Sequence, residues 1–112
     1  MKLIEIKDKL TNLQTGELII GSELTGSHAC YMIYGVLNPG EKNWLIKPGR
    51  GHEEIVLIIK GRIKVTGVWE GELTEGDAFH IEGEESLYFE NLSDTDAIYV
   101  IAGGHSEQGH HH

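Results

Sequence analysis

The stretch Gly51-His52-Glu53-Glu54-Ile55-Val56-Leu57-Ile58-Ile59-Lys60-Gly61-Arg62-Ile63-Lys64-Val65 constrains this chain more than any other. It sets an imidazole and two carboxylates at the mouth of a strongly apolar strand, then reverses at Gly61 into a second strand of alternating polarity. Successive side chains of a strand point to opposite faces, so the pattern predicts a half-buried β-hairpin. Ile55 to Ile59 is apolar at every position. One face can line a core, and the other then needs cover from an outer sheet or a second subunit.

The same period of two recurs in short segments separated by glycine, asparagine and aspartate, and helical periodicity is scarce. Strands are expected near Lys2 to Ile6, Glu17 to Ile20, His28 to Leu37, Asn43 to Ile46, Glu53 to Lys60, Arg62 to Val68, Asp77 to Ile81, Ser86 to Glu90 and Ala97 to Ala102. Lys7 to Thr15 has room for a turn of helix. Asn38-Pro39-Gly40, Lys47-Pro48-Gly49, Glu75-Gly76-Asp77 and Ser93-Asp94-Thr95-Asp96 carry the residues that turns demand. Many short strands with such turns predict an all-β sandwich or barrel.

With 112 residues the chain is expected to form one domain, residues 1–104, ending at Gly103-Gly104. Residues 105–112 form a histidine-containing tail in which His110, His111 and His112 are native or the remnant of a purification tag. A formal net charge of -9 with no basic stripe argues against nucleic acid or an anionic membrane as partner. The segment Met1 to Ile6 lacks the apolar core of a signal peptide and no run reaches membrane-spanning length, which predicts a soluble cytoplasmic protein. The single cysteine, Cys30, lies in the run Ala29 to Tyr34 and is expected to be a buried, inert thiol.

Two segments together resemble the motifs of the cupin superfamily. Glu54 stands seven residues before Gly61, as the glutamate and closing glycine of the first cupin motif do. Gly76 and Asn91 have the separation of the second motif, and Gly76 to Ile81 is similar to its turn into a strand. The resemblance covers about residues 39 to 101 and implies an antiparallel β-barrel, the double-stranded β-helix or jelly roll. It also implies a divalent metal held by two histidines and the glutamate of the first motif and one histidine of the second. The first-motif histidine positions fall on Pro48 and Arg50, or on Lys47 and Gly49, and the second-motif proline, glycine and histidine positions on Glu82, Glu84 and Leu87. Glu54 alone occupies its ligand position, short of the three or four protein ligands that zinc, iron or manganese sites use.

His52 and Glu54, two apart on a strand, share a face and form a half-site for Zn, Fe, Mn or Ni, which His80 or His28 would complete. Alternatively Glu54 pairs with Arg50 or Lys47. His105 and the terminal histidines are a further source of imidazoles, and the run Glu82 to Glu85 reads as a solvated acidic turn. Trp44, Trp69, Tyr31, Tyr34, Tyr88 and Tyr99 offer aromatic surface, with Trp44 and Tyr88 the candidates to stack on a flat ligand. The chain is expected to bind a small organic molecule through His52, Glu54, His80, Trp44 and Tyr88. The alternative is a metal-dependent oxygenase or isomerase with a rearranged site at Glu54, His52 and His80. In either case a homodimer is expected. Nucleophile elbow, phosphate loop and paired-cysteine patterns are absent from the sequence.

Overall fold

A computed structural model describes residues 1–106. Alternating sequence becomes alternating burial: in β4 (His52–Lys60), Glu54, Val56 and Ile58 are buried while Ile55, Leu57 and Ile59 are exposed. Eight further strands surround it: β1 (Gly16–Ile20), β2 (Cys30–Leu37), β3 (Trp44–Ile46), β5 (Ile63–Gly67), β6 (Gly71–Leu73), β7 (Ala78–Glu82), β8 (Leu87–Asn91) and β9 (Ala97–His105). They form a five-stranded sheet in the order β1-β2-β9-β4-β7 and a four-stranded sheet in the order β3-β8-β5-β6. All pairings are antiparallel.

Val56, Ile58, Tyr99 and Ile101 of the first sheet pack against Ile46, Val65, Leu87 and Phe89 of the second. Each such aliphatic or phenyl side chain contributes roughly 1.5–3 kcal/mol relative to leaving it in water. The all-β fold matches the sequence expectation, but the two sheets do not close into a continuous barrel.

Two motif positions have clear mechanical roles. Gly61 adopts φ +99 between β4 and β5, and a Cβ there would lie 2.9 Å from that of Ala97. Only glycine fits both the dihedral and the approach. Asn91 is buried, and its amide spans the β8–β9 turn: Nδ2 donates to the carbonyls of Leu37 and Thr95, and Oδ1 accepts the Ser93 N–H.

Several boundaries differ from expectation. Lys2 to Ile6 alternates in sequence but forms no strand, because it pairs with no neighbour, and Leu3 stays exposed. Helix α1 (Lys7–Thr11) falls inside the anticipated helical turn, whereas helix α2 (Ser22–Thr25) and β6 lack a sequence signal long enough to register. Strand β2 starts at Cys30 rather than His28, and β9 runs through Gly103 and Gly104 to His105. The terminal histidines lie outside the described residues.

Cys30 is exposed, which corrects the expected burial. It opens β2 opposite Gly104. A chromogenic disulfide reagent is therefore expected to titrate one thiol in native protein as fast as in denatured protein. Labelling that required denaturant would contradict this placement.

Candidate functional site

Strand β4 directs His52 and Glu54 inward, and its neighbours shape what they meet. Glu54 pairs with Gly103 on β9, and Gly103 pairs in turn with Tyr31 on β2. Tyr31 lies across Gly103, where a Cβ would stand 2.3 Å from the ring, and donates its hydroxyl to Glu54 Oε2 at 2.6 Å. Missing side-chain volume on the middle strand thus lets a tyrosine reach a carboxylate two strands away.

The same device recurs with the strands exchanged. Tyr99 on β9 crosses Gly35 on β2, where a Cβ would meet its ring at 2.1 Å, and donates to Glu17 Oε2 on β1 at 2.5 Å. Its hydroxyl also accepts Trp44 Nε1–H at 2.6 Å. Trp44 is thereby engaged in a network within the sandwich. Burial pushes the Tyr99 hydroxyl upward, and the Glu17 hydrogen bond and charge add to this.

Glu54 is 5% exposed. Burial pushes its carboxyl above the usual range, the Tyr31 hydrogen bond opposes that rise, the Glu17 charge adds to it and His52 counters it. Tyr31 is likewise pushed up, first by burial and then by its hydrogen bond to Glu54 and that group's charge. A carboxyl with a raised folded-state value binds its proton more tightly when folded. Its contribution is therefore fully present below the unfolded value near 4.5 and is lost as pH rises through the folded value. Glu54→Gln, which keeps an acceptor for Tyr31, is expected to flatten this loss of stability. Each tenfold difference in proton affinity between the folded and unfolded chain corresponds to about 1.4 kcal/mol. Urea midpoints of both proteins across that pH range test it. Parallel curves would contradict the assignment.

Glu54 and Tyr31 line a cleft of about 430 Å³ with His28, His52 and His105. His52 and His105 pair across β4 and β9, with ring centroids 5.0 Å apart. His52 Nδ1 lies 3.3 Å from the Arg50 carbonyl and His105 Nε2 lies 2.7 Å from the His28 carbonyl, so in each pair the imidazole N–H donates. Carboxylate, phenol and imidazoles together suit hydrogen bonding to a polar ligand and proton exchange with it.

His80 does not join this group. Its partner on β4 is Ile55, whereas Ile81 pairs with Glu54, so His80 points to the outer face. There its Nε2 lies 2.8 Å from Glu53 Oε1 and its Nδ1 3.9 Å from Glu82 Oε2. Glu53, His80 and Glu82 are, among the described residues, the group whose donor atoms converge closely enough to hold a metal ion. Tyr88 pairs with Leu45 and Thr66 and is 43% exposed, on the outer side of the four-stranded sheet, while its neighbour Phe89 fills the core. Both placements follow from strand parity. Lys47 binds Glu84 at 2.8 Å, so Tyr31 rather than a cation partners Glu54.

The cleft does not reproduce the metal site implied by the cupin motifs. Glu54 is the sole residue at an inherited ligand position, and its Oε2 is taken by Tyr31. Sequence reasoning missed the Tyr31–Glu54 pair and the placing of His105 beside His52. The available signal was Gly103-Gly104, since glycine inside a strand often marks the close approach of another group.

No helix among the described residues is long and apolar enough to cross a membrane. No protein-family model matches the chain, and no curated protein matches it in sequence. Solved structures do match. A cupin protein from Bacteroides fragilis superposes with TM-score 0.69 at 18% identity, over 89% of this chain and 85% of that one. A predicted oxalate decarboxylase from Thermotoga maritima gives 0.66 at 21% identity, over 80% and 81%. Peruvianin-I, a cysteine peptidase from Thevetia peruviana latex, gives 0.71 at 16% identity over 84% of this chain, which spans 63% of its length. At these identities the likeness speaks to architecture, and together with the spacing of Glu54, Gly61, Gly76 and Asn91 it shows that this chain has the double-stranded β-helix fold of the cupin superfamily.

Proposed function

We propose that the chain binds a small hydroxyl-bearing organic molecule, of which a sugar is the model, in the cleft at the open end of β4 and β9. The observation that carries this reading is the buried Glu54 carboxyl held by Tyr31 at the cleft wall. Glu54 accepts hydrogen bonds from ligand hydroxyls, while His52 and His105 add ring nitrogens. A net charge of -9 disfavours a polyanionic ligand. Binding needs no metal in this reading.

Thermal shift against a panel of monosaccharides and hydroxy acids, followed by calorimetric titration of the best hit, tests the proposal. Glu54→Gln and Tyr31→Phe should each weaken binding about tenfold, the effect of losing roughly 1.4 kcal/mol, and His80→Ala should leave it unchanged. Equal weakening by all three would remove the cleft as the site.

The pairing of His52 with His105 beside Glu54 favours one competing reading, a metal-dependent oxygenase or isomerase in which His105 takes the place expected of His80. Metal analysis of protein with His110, His111 and His112 replaced by alanine separates the two. Stoichiometric iron, manganese, zinc or nickel that disappears on His52→Ala and His105→Ala substitution would establish the competitor.

A further inference from the structure

Strand β4 carries a second constellation on the side opposite Glu54. Glu53 stands directly across from Glu82 on β7, and His80 lies two residues along β7, across from Ile55. Residues two apart on a strand share a face, so the three side chains leave the sheet together. Like charges directly opposite one another destabilise a strand pair. Among the described residues His80 is the ion-pair partner of both carboxylates, with Nε2 toward Glu53 and Nδ1 toward Glu82. A neutral imidazole has one N–H and one lone pair, so it can donate to one carboxylate and must present its lone pair to the other. A cation held by all three groups removes that conflict.

The geometry admits one. The donor atoms all lie within 4.8 Å of one another. A metal ion at ~2.1 Å from each ligand needs donors roughly 3–3.5 Å apart. His80 and Glu53, at 2.8 Å, are already that close. The Glu82 side chain is 62% exposed and can close the remaining gap by rotating about its own bonds. Beside the group lies a depression of about 310 Å³, lined on the β9 side by Ala102, Gly103 and Gly104. A methyl is the largest side chain there, which leaves room for water or a small carboxylate to complete the coordination shell. Strand β7 is the edge of its sheet, so an ion at this place fastens an edge strand to its interior neighbour.

We propose that Glu53, His80 and Glu82 form a surface site for a divalent first-row transition ion, with zinc as the type, which clips β7 to β4. One imidazole with two carboxylates selects that class, because calcium and magnesium take oxygen ligands and gain nothing from a ring nitrogen. The site differs from the one implied by the cupin motifs in face, in ligands and in exposure. It shares no ligand with the proposed cleft, and neither inference depends on the other.

Calorimetric titration tests it, in protein stripped of metal by a chelator and carrying alanine at His52, His105, His110, His111 and His112, which leaves His28 and His80 as its histidines. One equivalent of Zn²⁺ should bind with a dissociation constant on the order of 10 µM, and excess Ca²⁺ or Mg²⁺ should not displace it. Glu53→Gln, His80→Ala and Glu82→Gln should each weaken binding ~10–100-fold. Circular dichroism should stay unchanged, because all three side chains reach solvent. In the wild-type chain the ring resonances of His80 should shift as Zn²⁺ is added. Zinc binding weaker than about 1 mM, binding that survives His80→Ala, displacement by calcium, or His80 resonances that stay fixed would each overturn the site.

Discussion

Gly35→Ala is expected to remove roughly 3–5 kcal/mol of stability, enough to leave a domain of this size barely folded. The added Cβ would lie 2.1, 2.4 and 2.5 Å from three atoms of the Tyr99 ring. That ring cannot retreat. It is fully buried, stands edge-on to Phe89 with centroids 5.4 Å apart, and is tied through its hydroxyl to Glu17 and Trp44. Relief would require opening the β2–β9 pair or breaking both hydrogen bonds, one of them to a carboxylate, which adds about 1.5–3 kcal/mol to the steric cost. Urea denaturation and a melting temperature lower by roughly 15–30 °C would record it. A loss below about 1 kcal/mol would mean that Tyr99 does not lie over Gly35.

Gly103→Ala is expected to act at the site rather than on the whole fold. Its Cβ would stand 2.3 Å from the Tyr31 ring, but Tyr31 is only partly buried and borders the cleft, so the ring can swing outward. In doing so it releases Glu54. Loss of that hydrogen bond removes the influence that holds the carboxyl down, so the Glu54 titration should move further upward. The accompanying loss of stability should be about 2 kcal/mol, since a buried carboxyl loses its hydrogen-bond partner. Carboxyl carbon chemical shifts followed against pH measure the first effect. Tyr31→Phe should reproduce the shift without the steric change, and opposite movement in the two variants would disprove the shared cause.

The architecture was legible because hydrophobic alternation and turn residues are local signals. Glu54, Gly61 and Asn91 could be read from spacing, and each has a definite place in the structure: in the cleft, at the β4–β5 turn and across the β8–β9 turn. His52 and Glu54 were also readable as a pair, since residues two apart on one strand must share a face. His80 was not, because which face of β7 meets the core depends on its register with β4, a non-local quantity. The shift of a single position separates inward Ile81 from outward His80. Cys30 escapes a local reading for the same reason at the start of β2. Gly103 reads as punctuation because a glycine pair at a chain end and a glycine that admits a ring look identical until the opposite strand is known. Helix α2 and strand β6 are four and three residues long, below the length at which periodicity can be recognised.

The two tyrosine-over-glycine crossings carry a consequence for how the chain finds its pairing. A sheet register is most easily mistaken by two residues, since that error keeps every inward side chain inward. For β2 and β9, one such slip would set Tyr99 against Leu37 and Tyr31 against His105, and the opposite slip would set them against Ile33 and Ile101. In each case a ring that needs an empty position would strike a side chain. Only the native alignment gives both rings a vacancy at once, so the pair works as a two-pin key. The strands that frame the cleft discriminate against their own near-misses, and the carboxyl at its wall comes to hand only when the key has turned.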